Sequence, residues 1–220
     1  QVTNRLSMPG PNEVRSILVD FVDDLDAELE PQRLEKVLTG EDTPTSAELG
    51  SQPEPWVRRH LIRPLLDETD LYWENEIHGG GEGYPDFGIT NLDVKVIGED
   101  KKLNGSEDAV NDIEEYLNNR AASQGAEYGI ATDGITWTII RIELGGDYLD
   151  YDQIDPTPIN FRQELLKIAS ERTSISYSAV SEVDIDEKAA EFYDTFTRDN
   201  FNQLLTQEAP KRIRKKKQAG

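Results

Sequence analysis

Apolar residues at three- and four-residue spacing dominate the two ends of the chain, and alternating patterns occupy its middle. Val14, Ile17, Leu18, Phe21, Val22, Leu25 and Leu29 recur with Asp and Glu between them, which predicts an amphipathic helix over residues 12–30. Pro31 suits the first turn of a helix, where its missing N–H costs nothing, and Leu34, Val37 and Leu38 give this second helix an apolar face. Residues 39–53 combine Gly, Pro, Ser and Thr, so they predict a turn-rich connection and the best candidate boundary. Helical spacing resumes over 54–68 and ends near Leu66. Strands are predicted at 71–77, 86–90 and 92–101, where the period shortens to two.

Ser106 is the predicted cap of a helix over 107–120, whose apolar face carries Ala109, Val110, Ile113, Tyr116 and Leu117. Strands at 127–132 and 135–143 flank Asp133-Gly134, a strong hairpin signal. Both faces of the second strand are apolar, so Trp137 is predicted as core rather than as a base-stacking platform. Residues 145–158 are acidic and predict a loop. A helix over 161–172 follows, and Asp184 begins a long one bearing Ala189, Phe192, Tyr193, Phe196, Leu204 and Leu205. The sum is an α/β fold: a small mixed β-sheet flanked by helices, with helical additions at both ends. The N-terminal pair reads as a cap on this core rather than as a docking or DNA-contact arm.

Charge changes the picture. The 220 residues hold 44 acidic and 23 basic side chains, a formal net charge of −21. The excess is spread along the chain while the apolar segments stay intact, which points to a folded protein of a halophile, whose acidic surface is screened by salt. There is no cysteine, which excludes disulfides and thiolate metal sites and fits a cytoplasmic protein. Only His60 and His78 are present, too few for a histidine-rich zinc site. No apolar run is long enough for a membrane helix and no secretory leader is visible. The start at Gln1 reads as part of something longer. The one cationic block, Lys211 to Lys217, holds six basic residues in seven and reads either as a nucleic-acid arm or as a solvated end.

Candidate chemistry sits in the middle. In a strand, Glu99 and Lys101 point the same way, and a hairpin can bring the carboxylate of Asp86, at the mouth of the preceding strand, beside Glu99. Two carboxylates and a lysine converging at a sheet surface suit a divalent metal and a phosphodiester. Mg²⁺ prefers oxygen ligands, and a lysine ammonium can hold water or steady developing charge. Asp93-Val94-Lys95 is a second triplet of the same form and parity. It follows only Leu92 and a turn at Thr90-Asn91, whereas the apolar run Val94, Val96, Ile97 precedes Glu99. The glycine-rich stretch from His78 to Gly83 lacks a Gly-Lys-Ser/Thr ending and opens no helix, so it reads as a hairpin tip.

Several segments occur in the order found in the PD-(D/E)xK nuclease superfamily. Leu61-Ile62-Arg63-Pro64-Leu65-Leu66 resembles the end of the helix before that family's sheet. Tyr84-Pro85-Asp86-Phe87 resembles its P-D strand, and Val96-Ile97-Gly98-Glu99-Asp100-Lys101-Lys102 its E-x-K strand, with Gly98 extra. Ala109-Val110 through Tyr116-Leu117 resembles the following helix. Tyr128 through Trp137 resembles "Y-G-I-L-T-N-G-x-x-W". The likeness covers roughly residues 54–143. It is strongest to nuclease domains of type I restriction R subunits and of fused restriction–modification enzymes. Lys188 to Phe196 also resembles the connecting helix of the fused enzymes, although no N-P-P-Y-type methyltransferase motif occurs.

The resemblance implies a restriction-endonuclease-like core over 54–145, a helical cap over 1–50, a helical extension or linker over 159–209 and a basic tail over 210–220. It implies a DNA endonuclease domain of a restriction or defence system, dependent on Mg²⁺ or Mn²⁺. Asp86 and Glu99 would hold the metal and Lys101 would orient water. Glu54 would assist, or less readily Glu74 or Glu76. DNA contacts would fall on Lys102 and on Lys211, Arg212, Arg214, Lys215, Lys216 and Lys217. A methyltransferase or helicase domain would be the partner. Two positions depart from the family: Asp112 precedes Tyr116 where a glutamine is usual, and His60 stands where a glutamate often precedes Leu-Ile. These departures and the negative charge leave an alternative, a catalytically inactive nuclease-derived binding or assembly module.

Overall fold

The computed structural model describes residues 10–75, 84–118, 125–145, 148–153, 158–175, 177, 180, 182–206 and 214–217. The two N-terminal helices form as their periodicity predicts, α1 over Pro11–Glu28 and α2 over Pro31–Thr39. The connection after them contains a short helix that the turn-rich composition hid, α3 over Ser46–Leu49. Thr45 and Glu48 cap it reciprocally, side chain to backbone in both directions. The next helix is continuous but not uniform. Pro53–Val57 (α4) leads into a π-helical turn at Arg58–Ile62 and then into Arg63–Asp67 (α5).

A mixed sheet follows. Strand β1 (Trp73–Asn75) pairs antiparallel with β2 (Phe87–Ile89), and β2 pairs antiparallel with β3 (Val96–Asp100). The chain then crosses through α6 (Ser106–Asn118) to β4 (Tyr128–Thr132), which lies parallel to β3. Strand β5 (Thr136–Gly145) returns antiparallel to β4 and also pairs with β6 (Tyr148–Gln153) and β7 (Ile159–Asn160). Strand β8 (Arg214–Lys217) adds to β6, so the eight described strands run β1-β2-β3-β4-β5-β6-β8 with β7 beside β5. Helices α7 (Arg162–Arg172), α8 (Ile185–Thr195) and α9 (Arg198–Thr206) complete the fold.

Five expectations need correction. The strand predicted over 92–101 begins only at Val96; the chain bends over 91–94, where the Asp93 N–H donates to the Asn202 side chain. Ser106 lies inside α6, and the cap position belongs to Gly105, whose carbonyl accepts from the Ala109 N–H. The acidic stretch read as a loop contains β6. The basic block read as an arm or a solvated end supplies β8. Its register sets Lys216 opposite Asp150 and Arg214 opposite Asp152. The long C-terminal helix is two helices. It breaks between Thr195 and Arg198, and Phe192 and Phe196 pack against Trp137 while Phe201, beyond the break, packs against Phe196.

Two apolar clusters cover the two faces of the sheet. The larger one unites α1, α2, the helix of residues 53–67 and α7 to α9 with Phe87, Ile89, Val96, Ile130, Trp137 and Ile139. Both helical ends of the chain therefore share one core with the sheet. The smaller cluster lies beneath α6 and contains Ile97, Ala131 and Ile140 with Ala109, Val110, Ile113 and Leu117. Strand alternation explains the division: Val96 faces one cluster and Ile97 the other. Trp137 is core, 1 % exposed, with its indole N–H given to the Gly134 carbonyl. At the β4–β5 turn the Asp133 carboxylate accepts the Ile135 and Thr136 N–H groups, and Gly134 takes a φ of 83° that favours glycine. Among the described residues no helix is long and apolar enough to cross a membrane.

Candidate metal centre at the end of the third strand

The register of β2 on β3 pairs Phe87 with Gly98, so the residue before Phe87 meets the residues after Gly98. Gly98 is required there. A Cβ at that position would stand 2.1 Å from a Phe87 ring carbon, so only glycine lets the ring lie flat against the strand. This contact sets Asp86 against the end of β3, and the Asp100 N–H donates to Asp86 Oδ2 at 3.1 Å. Beyond the strand, the Lys101 N–H donates to the Thr132 carbonyl and carries the pairing with β4 one residue further.

Successive side chains then leave the strand on opposite sides. Glu99 and Lys101 point toward α6, as parity requires. Lys101 Nζ donates to Glu99 Oε1 at 2.6 Å and lies 2.7 Å from Asp112 Oδ2 on α6. Glu99 is 4 % exposed, and its Oε2 has no hydrogen-bond partner. Burial, and then the neighbouring Asp86 carboxylate, push the Glu99 carboxyl well above the ordinary glutamate range, against the pull of Lys101. Burial opposes the charge of Lys101, but its bonds to Asp112 and Glu99 more than offset this and hold it above the ordinary lysine range. Tyr116, one turn beyond Asp112, is pushed up to about 12 by burial and by Glu99.

Asp100 points the other way, into the helix of residues 53–67. It is 2 % exposed, and burial raises its carboxyl to about 6 despite the guanidinium beside it. That guanidinium is Arg58, at the first position of the π-helical turn. Arg58 Nε lies 2.9 and 2.8 Å from the two Asp100 oxygens. Its Nη2 lies 2.7 Å from Asp100 Oδ1, 2.6 Å from Asp86 Oδ1 and 3.6 Å from Glu54 Oε1. Glu54 sits one turn earlier on the same helix, and its carboxyl is raised by burial and by Asp86. One oxygen each of Glu54, Asp86 and Asp100 lies within 4.8 Å of the others. His60, in the same turn, leaves the site. It stacks on Trp56 at 4.2 Å and its Nδ1 lies 2.7 Å from Asp24 on α1.

The structure thus brings together Asp86, Glu99 and Lys101, and sets Glu54 at the rim. It does not bring the rival triplet: Asp93 and Lys95 are exposed and precede β3, at the opposite end of the strand from Glu99. Glu74 is exposed on β1 opposite Gly88 and joins neither carboxylate group, and Glu76 lies outside the described residues. Lys102 is exposed just beyond Lys101. Arg214, Lys215, Lys216 and Lys217 form β8, and Lys211 and Arg212 lie outside the described residues. Sequence reasoning missed Arg58 and Asp100. The i, i+4 spacing from Glu54 to Arg58 was the available signal for the first, since it puts both on one helix face. Asp112, noted only as a lost glutamine, is the second anchor of Lys101.

The donor set fits a hard divalent cation. Every candidate ligand is a carboxylate oxygen, and the buried, unpartnered Glu99 Oε2 is an acceptor in want of a proton or a metal. No protein-family model, curated protein or solved structure matches the chain.

Proposed function

We propose that this domain hydrolyses DNA phosphodiesters with Mg²⁺ or Mn²⁺, as a nuclease of a restriction or DNA-defence system. The observation that carries the reading is the convergence of Asp86 with Glu99 at the end of β3, with Lys101 bonded to Glu99. It is the arrangement that the PD-(D/E)xK resemblance implies. Asp86 and Glu99 would hold the ion, with Glu54 at the rim. The ion would neutralise charge on the phosphate and lower the pKa of a bound water.

The chain's own residues supply the rest. Asp112 and Glu99 hold Lys101 between them, so its ammonium is fixed and charged at neutral pH and can steady charge that develops on the phosphate oxygens. Glu54, partly exposed and with a raised pKa, can take a proton from the attacking water. Water attacks phosphorus in line as it gives up its proton, the bond to the leaving oxygen breaks, and that oxygen takes a proton from solvent water. The acidic surface repels DNA at low salt; in the concentrated salt of a halophile that long-range repulsion is screened. A methyltransferase or helicase domain in the same assembly would bring further DNA contacts.

One observation favours a second reading, a binding or assembly module without turnover: Arg58 already ion-pairs with both Asp86 and Asp100. Cleavage of duplex DNA, assayed for this chain and for any longer protein that carries it, separates the two. Hydrolysis predicts loss of Mg²⁺-dependent cutting in Asp86→Ala, Glu99→Ala and Lys101→Ala, each by roughly a thousandfold or more. Asp93→Ala and Lys95→Ala should be nearly neutral. Normal cutting with Glu99 and Lys101 both replaced would refute the assignment. No cutting under any metal or salt condition would favour the module.

A further inference from the structure

Both oxygens of the Asp86 carboxylate are held, each by a different element. Oδ1 accepts from Arg58 Nη2 at 2.6 Å, and Oδ2 accepts from the Asp100 N–H at 3.1 Å. Two bonds to two oxygens fix the tilt of the carboxylate as well as its place, and each oxygen keeps a lone pair for a further partner. Asp86 needs this support. It precedes β2 in an irregular stretch, so the strand ladder does not hold it. The holder is in turn held. Asp100 takes the guanidinium along one edge, its oxygens 2.9 and 2.8 Å from Nε and its Oδ1 2.7 Å from Nη2. Asp100 is 2 % exposed and ends β3, paired with Thr132 of β4. The sheet thus fixes Asp100, Asp100 fixes Arg58, and Arg58 with the Asp100 N–H fixes Asp86. Glu54, 3.6 Å from the same Nη2, is beyond hydrogen-bond reach and outside this relay.

We infer that Arg58 and Asp100 are positioning residues that orient the Asp86 carboxylate for its part with Glu99, Asp100 acting through Arg58. The inference rests on the metal-dependent reading above and adds to it the groups that aim one of its ligands. A planar fork suits the task, because one edge grips Asp100 while the remaining Nη2 proton reaches Asp86. A lysine ammonium carries the same charge without this geometry. One positive charge between the two carboxylates also offsets the repulsion that would otherwise turn Asp86 away from Asp100. Loosening a group that orients a ligand typically costs about 10- to 100-fold in metal affinity.

A charge-conserving variant separates orientation from charge. Mn²⁺ alone is titrated calorimetrically, in molar KCl and well below Tm, into the wild type, Arg58→Lys, Asp100→Asn and the double variant. Arg58→Lys and Asp100→Asn should each bind Mn²⁺ about 10- to 100-fold more weakly. The double variant should be no weaker than the weaker single one, because the two residues act as a unit. Asp100→Asn keeps the shape of the side chain and serves alone if the lysine variant does not fold. A purely structural pair predicts a lower Tm with Mn²⁺ affinity unchanged, and that result overturns the inference and leaves the hydrolytic reading standing. Tighter binding by either variant overturns it as well, since Arg58 would then oppose the ion rather than aim its ligand. Additive losses refute the relay through Arg58. No saturable binding by the wild type overturns the hydrolytic reading and this inference together.

Discussion

Gly98→Ala is the substitution that best exposes how the fold positions the site. Gly98 is fully covered, and its missing side chain makes room for the Phe87 ring on the paired strand. A methyl group there would meet three ring carbons at 2.1, 2.2 and 2.5 Å, against a normal carbon contact of roughly 3.5–4 Å. The ring must therefore move by more than about 1 Å, yet it is 2 % exposed and embedded in the large apolar cluster. Overpacking of this kind costs about 1–3 kcal/mol, and a rigid strand on one side with a packed ring on the other argues for the upper end. At about 2–4 °C per kcal/mol for a chain of this size, Tm should fall by about 6–12 °C. Melts followed by circular dichroism in molar KCl would show it. A Phe87→Leu change should recover part of the loss in the alanine background while destabilising the wild type, a strongly non-additive cycle. An unchanged Tm in Gly98→Ala, or additive effects in the cycle, would refute the claim that this contact sets Asp86 against Glu99.

Two further outcomes follow from buried and surface charge. Glu164 on α7 is buried with Oε2 unpartnered, and burial raises its carboxyl above 4.5. The folded chain therefore keeps this proton to higher pH than the unfolded chain. Its contribution to stability is complete below about pH 4.5 and is lost as pH rises through the raised value. Glu164→Gln should match the wild type near pH 4 and melt higher than it at pH 8; a variant no more stable than the wild type at pH 8 would contradict this. The net charge of −21 predicts that the wild type melts at higher temperature in molar KCl than in low salt, and equal or lower Tm in KCl would remove the halophile explanation.

The half of the site on β2 and β3 was legible because it depends on local rules. A period of two fixes which of Glu99, Asp100 and Lys101 share a face, and two short strands in sequence with a loop between them pair antiparallel. The other half was not, because Arg58 meets Asp86 and Asp100 from 28 and 42 residues away, and a helical pattern says which residues share a face without saying what that face meets. The π-helical turn that carries Arg58 leaves no trace in apolar spacing. Strands β6 and β8 were hidden for another reason. An acidic and a basic segment each read as solvated when taken alone, and it is pairing with β5 for the first, and with β6 for the second, that makes each a strand. The break between α8 and α9 is silent because both helices keep apolar residues at helical spacing, and tertiary packing of Phe196 and Phe201 decides it.

The central claim is that Asp86 and Glu99 are joint ligands of one divalent ion. Anomalous scattering from crystals grown with Mn²⁺ measures this directly. The account predicts a peak at roughly 2.0–2.3 Å from a carboxylate oxygen of each residue, including the Glu99 Oε2 that now lacks a partner, with Lys101 still bonded to Asp112. A saturated crystal with no ion between Asp86 and Glu99, or with Mn²⁺ bound only at surface carboxylates, would contradict it.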